Sequence, residues 1–224
     1  MLRTRHTLQA EETQFYLANA ILGLEHVHKL DIVWRDLKPE NFVVASDGYL
    51  KMVDLGFAKQ LDTHGWTYTF CGTPDYMAPE IVRQEGHNLC VDYWSLGVML
   101  YEMLFGATPY HDTESNVFNI FEQITTKPLR FPVEAAVSEQ AKQLIMALLQ
   151  IEPADRLGNP SIGEVRDHPW LGQIDWECLS KHEVIAPMTP QVVQQAKYFK
   201  TYDQFKQSLQ NKFEKCEKWK PLLP

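Results

Sequence analysis

Apolar residues recur at intervals of three and four over several stretches of the chain, which is the period of an amphipathic helix. The first stretch runs from about residue 10 to residue 29, and its apolar stripe is wide enough for burial on more than one side. The stripe consists of Phe15, Ala18, Ile21, Leu22 and Leu24. Four further helices are predicted at about 90–105, 114–126, 138–150 and 161–168, with Ser138 as the N-cap of the third.

Short β-like runs separate the first helix from the others. The segment 31–34 is apolar and strand-like, and two more runs at 42–44 and 49–53 flank the turn Ser-Asp-Gly at 46–48. Residues 54–80 carry several glycines and prolines and are predicted to form a loop, which at this length is usually functional. The pattern therefore predicts a mainly α fold with one small two-stranded β element.

Composition narrows the class of protein. The chain has 224 residues, 45% of them hydrophobic, which is enough for a sizeable core. Its formal net charge of −8 argues against a broad nucleic-acid or anionic-membrane surface and fits a basic partner. No apolar stretch is long enough to span a bilayer, and residues 1–12 do not resemble a signal peptide. Four scattered cysteines indicate reduced thiols, so we expect a cytoplasmic protein.

The segment 34–41, Trp-Arg-Asp-Leu-Lys-Pro-Glu-Asn, closely resembles the catalytic loop of protein kinases. Phosphoryl transfer needs a carboxylate that orients the acceptor hydroxyl and cations that hold the γ-phosphate. Asp36 supplies the carboxylate, Lys38 the charge beside the phosphate, and Asn41 an oxygen ligand for Mg²⁺. The alternative is a charged surface loop, because pieces of this motif occur by chance, but the complete register favours the catalytic loop.

A second block lies thirteen residues beyond Asn41. Asp54-Leu55-Gly56 stands where the kinase family has its metal-binding Asp-Phe-Gly, so the resemblance assigns Asp54 to Mg²⁺. Leu55 keeps an apolar side chain at the position of the usual Phe. The resemblance implies ATP and Mg²⁺ as cofactors, with a nucleotide-side set of residues comprising Lys38, Glu40, Asn41 and Asp54.

A third block, Cys-Gly-Thr-Pro-Asp-Tyr-Met-Ala-Pro-Glu, ends at Glu80 and resembles the end of a kinase activation segment. By that resemblance, Thr73 bonds to Asp36 and Lys38, a pattern that favours Ser or Thr acceptors. Glu80 is expected to form a buried ion pair with Arg156, which has a structural role. Three blocks in the family order and spacing imply a protein-kinase-like fold.

Finer details are similar to the cyclic-nucleotide-dependent kinases of the AGC group. They are Asp-Leu-Gly-Phe-Ala-Lys at 54–59, Thr-Phe-Cys-Gly-Thr-Pro at 69–74 and Asp-Trp at 175–176. The segments at 92–97 and 156–159 lean toward the cGMP-dependent branch, and the cAMP-dependent catalytic subunit remains close. This resemblance implies a cyclic-nucleotide-binding regulatory domain or subunit as a partner.

The same resemblance makes Thr69 the activation-loop phosphorylation site. A phosphate there adds about −1.5 to −2 charge and is expected to pair with Arg35 and Lys59, which would order the loop. The alternatives are that Thr69 is an ordinary polar loop residue, or that Thr67 is the modified residue, since Tyr68 stands where relatives carry Trp.

Glu40 and Glu102 match the acidic pair that reads a basic residue two positions before the phosphoacceptor. Paired carboxylates select Arg or Lys because charge-assisted hydrogen bonds are strong and directional. The alternative for Glu102 is a solvated residue on a helix surface. Phe70, Pro74 and Met77 are expected to line an apolar pocket for the residue after the acceptor. The implied partners are protein substrates with basic residues before a Ser or Thr.

Three further residues have predictions of their own. Asp92 lies in an apolar helix and is expected to accept hydrogen bonds from the catalytic-loop backbone, because a buried carboxylate needs partners. Trp34 replaces the His or Tyr that relatives carry. Phe199, in a tail weakly similar to that of AGC kinases, is expected at the adenine pocket.

We divide the chain into the C-terminal lobe of a kinase, 1–171, and a divergent AGC-type extension, 172–224.

The chain has no Gly-x-Gly-x-x-Gly run, and residue 1 aligns just past the hinge between kinase lobes. We therefore expect a large lobe without its small lobe, and little or no kinase activity from the chain by itself. Two functions remain: part of a serine/threonine kinase, or an inactive module that uses the groove to bind basic peptides. The intact catalytic residues favour the kinase.

Overall fold

The computed structural model describes residues 7–111, 116–133 and 135–187. Within these ranges the helices are α1 (Ala10–His28), α2 (Pro79–Val82), α3 (Cys90–Phe105), α4 (Val117–Thr126), α5 (Glu139–Leu148), α6 (Gly163–Arg166) and α7 (Trp176–Ser180). The strands are β1 (Ile32–Val33), β2 (Phe42–Val44), β3 (Leu50–Met52) and β4 (Lys59–Gln60). Single 3-10 turns lie at Pro39–Asn41, Pro74–Tyr76, Pro153–Asp155 and Pro169–Leu171.

The structure confirms the predicted fold class, a mainly α domain with few strands. Local signals set the helix ends. The side chain of Asn116 accepts a hydrogen bond from the Phe118 N–H at 3.0 Å and starts α4 three residues later than predicted. The helix predicted at 161–168 shrinks to α6 because Pro169 forces His168 out of the helical conformation.

The prediction of one β element was wrong in number, because the described residues contain two antiparallel two-stranded sheets. In one, β2 pairs with β3, placing Phe42 opposite Met52. In the other, β1 pairs with β4, placing Ile32 opposite Gln60. Both residues of β4 are exposed, so no apolar alternation marks the strand in the sequence. The segment 54–80 is thus more structured than a loop.

Helix α3 forms the centre of the core. Nearly all of its residues are buried, as expected for a helix that is apolar on every side. Gly97 lets it approach α5 closely, since a Cβ at that position would lie 2.8 Å from the Cβ of Leu148. Helix α1 also packs against α3. Among the described residues, no helix combines the length and the apolar character needed to cross a membrane.

Candidate active site

The loop between β1 and β2 is fixed to α3 through Asp92, which is fully buried. The backbone N–H groups of Trp34 and Arg35 each donate to its carboxylate at 2.8 Å. The Nε2 atom of His28, on α1, lies 2.8 Å from the same carboxylate. Arg35 has a φ of 68°, an uncommon conformation for a side-chain-bearing residue, so these contacts hold a strained turn in place. The contacts predicted for Asp92 are present.

Asp36 lies at the centre of a compact polar cluster. The Thr73 hydroxyl donates to its Oδ1 atom at 2.6 Å, and the Lys38 Nζ donates to the Thr73 hydroxyl at 2.6 Å. Lys38 also lies 3.0 Å from the other carboxylate oxygen. The Asn41 amide donates to the Asp36 backbone carbonyl and to Oδ2, both at 2.8 Å. Four residues predicted for the site are therefore in direct contact, and the carboxylate is held in one orientation.

Asp54 joins this cluster through the backbone. The Val53 N–H donates to the Asn41 carbonyl at 2.9 Å, which sets Asp54 beside the catalytic loop. Asp54 is exposed and has a φ of 62°, and its Oδ1 accepts from the Gly56 N–H at 3.0 Å. The indole N–H of Trp34 donates to the Asp54 carbonyl at 3.0 Å. Trp34 is fully buried, and its side chain helps to fix the backbone of Asp54. The sequence did not reveal this role.

The donor atoms around Asp36 and Asp54 suit Mg²⁺. Magnesium binds hard oxygen ligands, commonly one or two carboxylates together with substrate phosphates. The amide nitrogen of Asn41 is turned toward Asp36, which leaves its side-chain oxygen as the atom suited to a metal. No group of three or more His, Cys, Asp or Glu side chains in the described ranges could hold a metal ion without further ligands. The residues therefore fit a magnesium ion that is shared with a phosphate group.

The segment that carries Thr73 packs directly on the catalytic loop. Gly72 has a φ of 120°, and a Cβ there would lie 2.7 Å from the Arg35 carbonyl oxygen, so the contact requires glycine. The Ser95 hydroxyl donates to the Tyr76 carbonyl at 2.8 Å and fixes the segment to α3. Beyond it, Glu80 and Arg156 form the expected ion pair.

The Glu80–Arg156 pair is bidentate and buried. Its two N···O distances are 2.7 and 3.0 Å. The guanidinium also donates to the Cys90 carbonyl at 2.9 Å and lies over the Trp94 ring. These contacts join the end of the activation segment, helix α3 and the loop after α5. The pair therefore has a structural role, because a buried guanidinium that forms two hydrogen bonds to a carboxylate fixes the position of both side chains.

An acidic cluster lies beside the catalytic loop. The Tyr76 hydroxyl donates to Glu102, and burial raises the pKa of Glu102 above its ordinary value. The negative charges of Glu40 and Asp75 also raise the Glu102 pKa. Tyr76, which follows Asp75 directly, links the segment that carries Thr73 to Glu102. The Thr108 hydroxyl holds Asp75 at 3.1 Å. Sequence reasoning named Glu40 and Glu102 but missed Asp75 and Tyr76, although both stand in the third sequence block.

An apolar surface lies next to Thr73. Phe70 is 48% exposed and meets Phe121 of α4 edge to face, with ring centroids 5.9 Å apart. Met77 is buried, and a Cβ added at Gly72 would lie 3.6 Å from its Cγ atom. Pro74 begins the 3-10 turn that follows Thr73. Phe70, Pro74 and Met77 thus lie within four residues of Thr73 in the chain. Phe121, which comes from a distant helix, had no signal in the sequence.

The two candidate phosphorylation sites differ in exposure. Thr69 is exposed, whereas Thr67 is 1% exposed and exchanges backbone hydrogen bonds with His87. Lys59 donates to the Thr67 hydroxyl at 3.0 Å. Arg35 donates from Nε to the Phe57 carbonyl at 2.8 Å.

One terminal nitrogen of Arg35, Nη1, is buried and has no hydrogen-bond partner among the described residues. That nitrogen is a donor with unused hydrogen-bonding capacity, and an unpaired buried donor is costly.

Two predictions fall outside or at the edge of the described residues. Phe199 lies outside them, so its expected place at the adenine pocket stays a prediction. The extension beginning at residue 172 is described only to residue 187. In that part, the Tyr49 hydroxyl donates to the Val184 carbonyl at 2.7 Å, and the His182 ring stacks on Tyr49. The start of the extension is thus attached to the β2–β3 hairpin.

The oxygen and ammonium groups around Asp36 and Asp54 suit a phosphate group together with Mg²⁺, and comparison with known proteins shows the family of the chain. The family model described as protein kinase domain matches residues 1–171. The chain belongs to the protein kinase family, whose members use ATP and Mg²⁺, which confirms the cofactor prediction.

Individual relatives narrow the likeness within the family. Protein kinase 2 of Dictyostelium discoideum is 44% identical over 179 residues, 80% of this chain and 36% of the relative. The human cAMP-dependent protein kinase catalytic subunit PRKX is 38% identical over 193 residues, 85% of this chain and 52% of the relative. The cAMP-dependent protein kinase catalytic subunit 3 of Drosophila melanogaster is 40% identical, also over 85% of this chain, and 32% of the relative is covered. The chain spans about half or less of the length of these relatives.

Proposed function

We propose that the chain supplies the catalytic loop and the peptide groove of a serine/threonine protein kinase. The observation that carries the proposal is the contact set in which Thr73, Lys38 and Asn41 all bond to the side chain of Asp36. A carboxylate oriented by three neighbours is suited to receive the hydrogen bond of an incoming hydroxyl group. Family membership, together with the names of the relatives, supports the same reaction class.

In this proposal the residues of the catalytic loop divide the tasks of phosphate transfer. Asp36 orients the acceptor hydroxyl and takes its proton as the oxygen bonds to the γ-phosphorus and the bond from that phosphorus to the ADP oxygen breaks. Lys38 is 20% exposed at its side chain and presents its ammonium group to the transferred phosphate. Asn41 and Asp54 would provide the oxygens that hold Mg²⁺, and Glu40, next to Asn41 in the chain, would lie at the nucleotide side. The metal, when bound, neutralises charge that develops on the phosphate oxygens.

We infer that the groove prefers basic residues before the acceptor. Glu40, Asp75 and Glu102 form one acidic surface, and Arg or Lys side chains pair well with grouped carboxylates. An apolar residue after the acceptor fits beside Phe70, Pro74 and Met77. Phe121 extends this pocket.

We further propose that Thr69 is the activating phosphorylation site. Its exposure makes it accessible to another kinase, whereas Thr67 is buried and hydrogen-bonded. A phosphate on Thr69 would find an unpaired donor in Arg35. Lys59 donates to the hydroxyl of Thr67, which precedes Thr69 by two residues in the chain. Pairing would lower the cost of burying that nitrogen and order the segment.

Other parts of the proposal rest on the resemblance and the names of the relatives. We propose a cyclic-nucleotide-dependent kinase with a cyclic-nucleotide-binding regulatory domain or subunit; relatives named for cAMP favour that nucleotide, and the cGMP-dependent branch remains the alternative. Residues 1–171 would form the large lobe and 172–224 the extension. Free cysteines at 71, 90 and 178 fit a cytoplasmic location.

The test joins the small lobe of a cAMP-dependent kinase catalytic subunit to the N-terminus of this chain. We expect the 224 residues alone to transfer phosphate slowly or not at all, and the fusion to be active. The fusion should phosphorylate a serine peptide with Arg at position −2 and Leu at +1 at least about tenfold faster than the same peptide with Ala at −2. Glu102→Gln should reduce this discrimination, and Glu122→Gln, on the exposed side of α4, should not.

A folded fusion that binds the basic peptide but transfers no phosphate would refute the kinase proposal. That outcome would favour the second candidate, an inactive module that binds basic peptides. The acidic cluster is the specific observation behind this candidate, because it is complete within the described residues.

A further inference from the structure

The charge of the chain is divided very unevenly between its body and its C-terminal end. Residues 188–224, which lie outside the described residues, contain seven lysines against three acidic residues. The rest of the chain is correspondingly acidic, because the whole chain has 21 basic and 29 acidic residues. The two parts therefore attract each other. Three carboxylates border the groove beside Asp36: Glu40 lies in the 3-10 turn of the same loop, Asp75 follows Thr73 by two residues, and Glu102 accepts a hydrogen bond from Tyr76.

The proposed substrate rule can be applied to every Ser and Thr of the chain itself. A basic residue at −2 together with an apolar residue at +1 occurs at two positions, Thr7 and Ser208. Thr7 follows Arg5 by two residues, but the next residue, Leu8, is buried. The backbone N–H of Leu8 donates to the Met103 carbonyl at 2.8 Å. That segment cannot lie extended in the groove, which leaves Ser208.

The sequence around Ser208 fits the groove at each position that the structure defines. Lys206, at −2, matches the carboxylates of Glu40 and Glu102, and Leu209, at +1, matches the apolar surface at Phe70. Resting on the proposed function, we propose that residues 206–209 bind in the chain's own substrate groove, with the Ser208 hydroxyl facing Asp36. The groove thus has a substrate-like partner within the same chain.

The distance along the chain permits this binding. The body holds the extension as far as Val184, whose N–H donates to the Tyr49 hydroxyl at 3.1 Å. From residue 187 to Lys206 an extended chain spans about 60 Å, which exceeds the diameter of about 40 Å expected for a domain of this size. A tether of this length gives an effective concentration near the millimolar range, so weak intrinsic affinity suffices for occupancy.

The test measures competition between this segment and a probe peptide on the purified 224-residue chain. The probe carries a fluorophore, Arg at −2 and −3, Ser as acceptor and Leu at +1, and its binding is followed by fluorescence anisotropy. Lys206→Glu should raise the probe affinity about tenfold, because it removes the internal competitor. Leu209→Asp should act in the same direction. Lys218→Glu, an equal charge change in the same tail, should leave probe affinity near the wild-type value.

The outcomes separate this inference from the function beneath it. If the wild-type chain binds the probe and the Lys206→Glu and Lys218→Glu variants bind it with the same affinity, residues 206–209 do not occupy the groove. The groove then remains a peptide-binding site, and only the inference is refuted. If no variant binds the probe, the proposed groove itself is refuted, and the inference with it. An effect of Lys206→Glu that grows with protein concentration would assign the segment to a second copy and overturn binding within one chain.

Discussion

Asp92→Asn tests the claim that one buried carboxylate holds the catalytic loop. The amide fills the same volume, but one of its two terminal atoms is an NH₂ group that cannot accept a hydrogen bond. Whichever way the amide turns, that group faces the N–H of Trp34 or of Arg35, each now 2.8 Å from a carboxylate oxygen. One buried N–H then loses its acceptor, which costs about 1–3 kcal/mol, and the other loses a charged one. We expect a total loss of about 3 kcal/mol in the free energy of unfolding.

Urea denaturation followed by tryptophan fluorescence measures this loss, since Trp34 and Trp94 are both buried. With a slope of about 2–3 kcal/mol per molar urea, the midpoint should fall by about 1 M. Asp167→Asn, at an exposed carboxylate, is the matched control and should change the free energy by less than about 0.5 kcal/mol. If the two variants unfold at the same urea concentration, Asp92 does not anchor the loop and the reasoning fails.

Three further substitutions test other contacts by the same urea assay. Glu80→Gln should lower the free energy of unfolding by about 3–5 kcal/mol, because Arg156 keeps a buried charge without its counter-ion. The double variant Glu80→Leu, Arg156→Met should recover much of this loss. A smaller loss in the single variant than in the double variant would contradict the prediction. Burial lowers the pKa of His87 below its ordinary value of 6.5, so the unfolded state binds more protons and stability should fall as pH drops from about 7.5 to about 5. His87→Phe should flatten that part of the profile, and an unchanged profile would refute the assignment. Gly72→Ala should cost about 1–3 kcal/mol through the forced contact with a backbone oxygen, and a neutral effect would show that the segment shifts freely.

The residues that meet at the candidate site could be predicted from the sequence because most of them are close together in the chain. Asp36, Lys38 and Asn41 lie within six residues and match a known motif in order and spacing. The long helices were predictable for a similar reason, since a period repeated over four turns leaves few alternatives.

The supporting contacts were not predictable, because they join residues far apart in the chain. Trp34 looked like an irregular substitution, yet its indole N–H holds Asp54, twenty residues away. Phe121 reaches Phe70 only after α4 has packed, and its own segment carries no mark of that contact. Strand β4 is set by its partner β1 and not by its own two exposed residues. In each case the contact or strand depends on tertiary packing, which the local sequence pattern does not encode.

The proposed catalytic role of Asp36 is tested most directly by Asp36→Asn in the fusion with a small lobe. The account predicts that kcat for the basic serine peptide falls at least about 100-fold, while KM for the peptide changes less than about twofold, because an amide keeps the shape of the site but cannot take the proton. Retained kcat, or a rise in KM with kcat unchanged, would show that Asp36 binds substrate without taking part in transfer and would contradict the account.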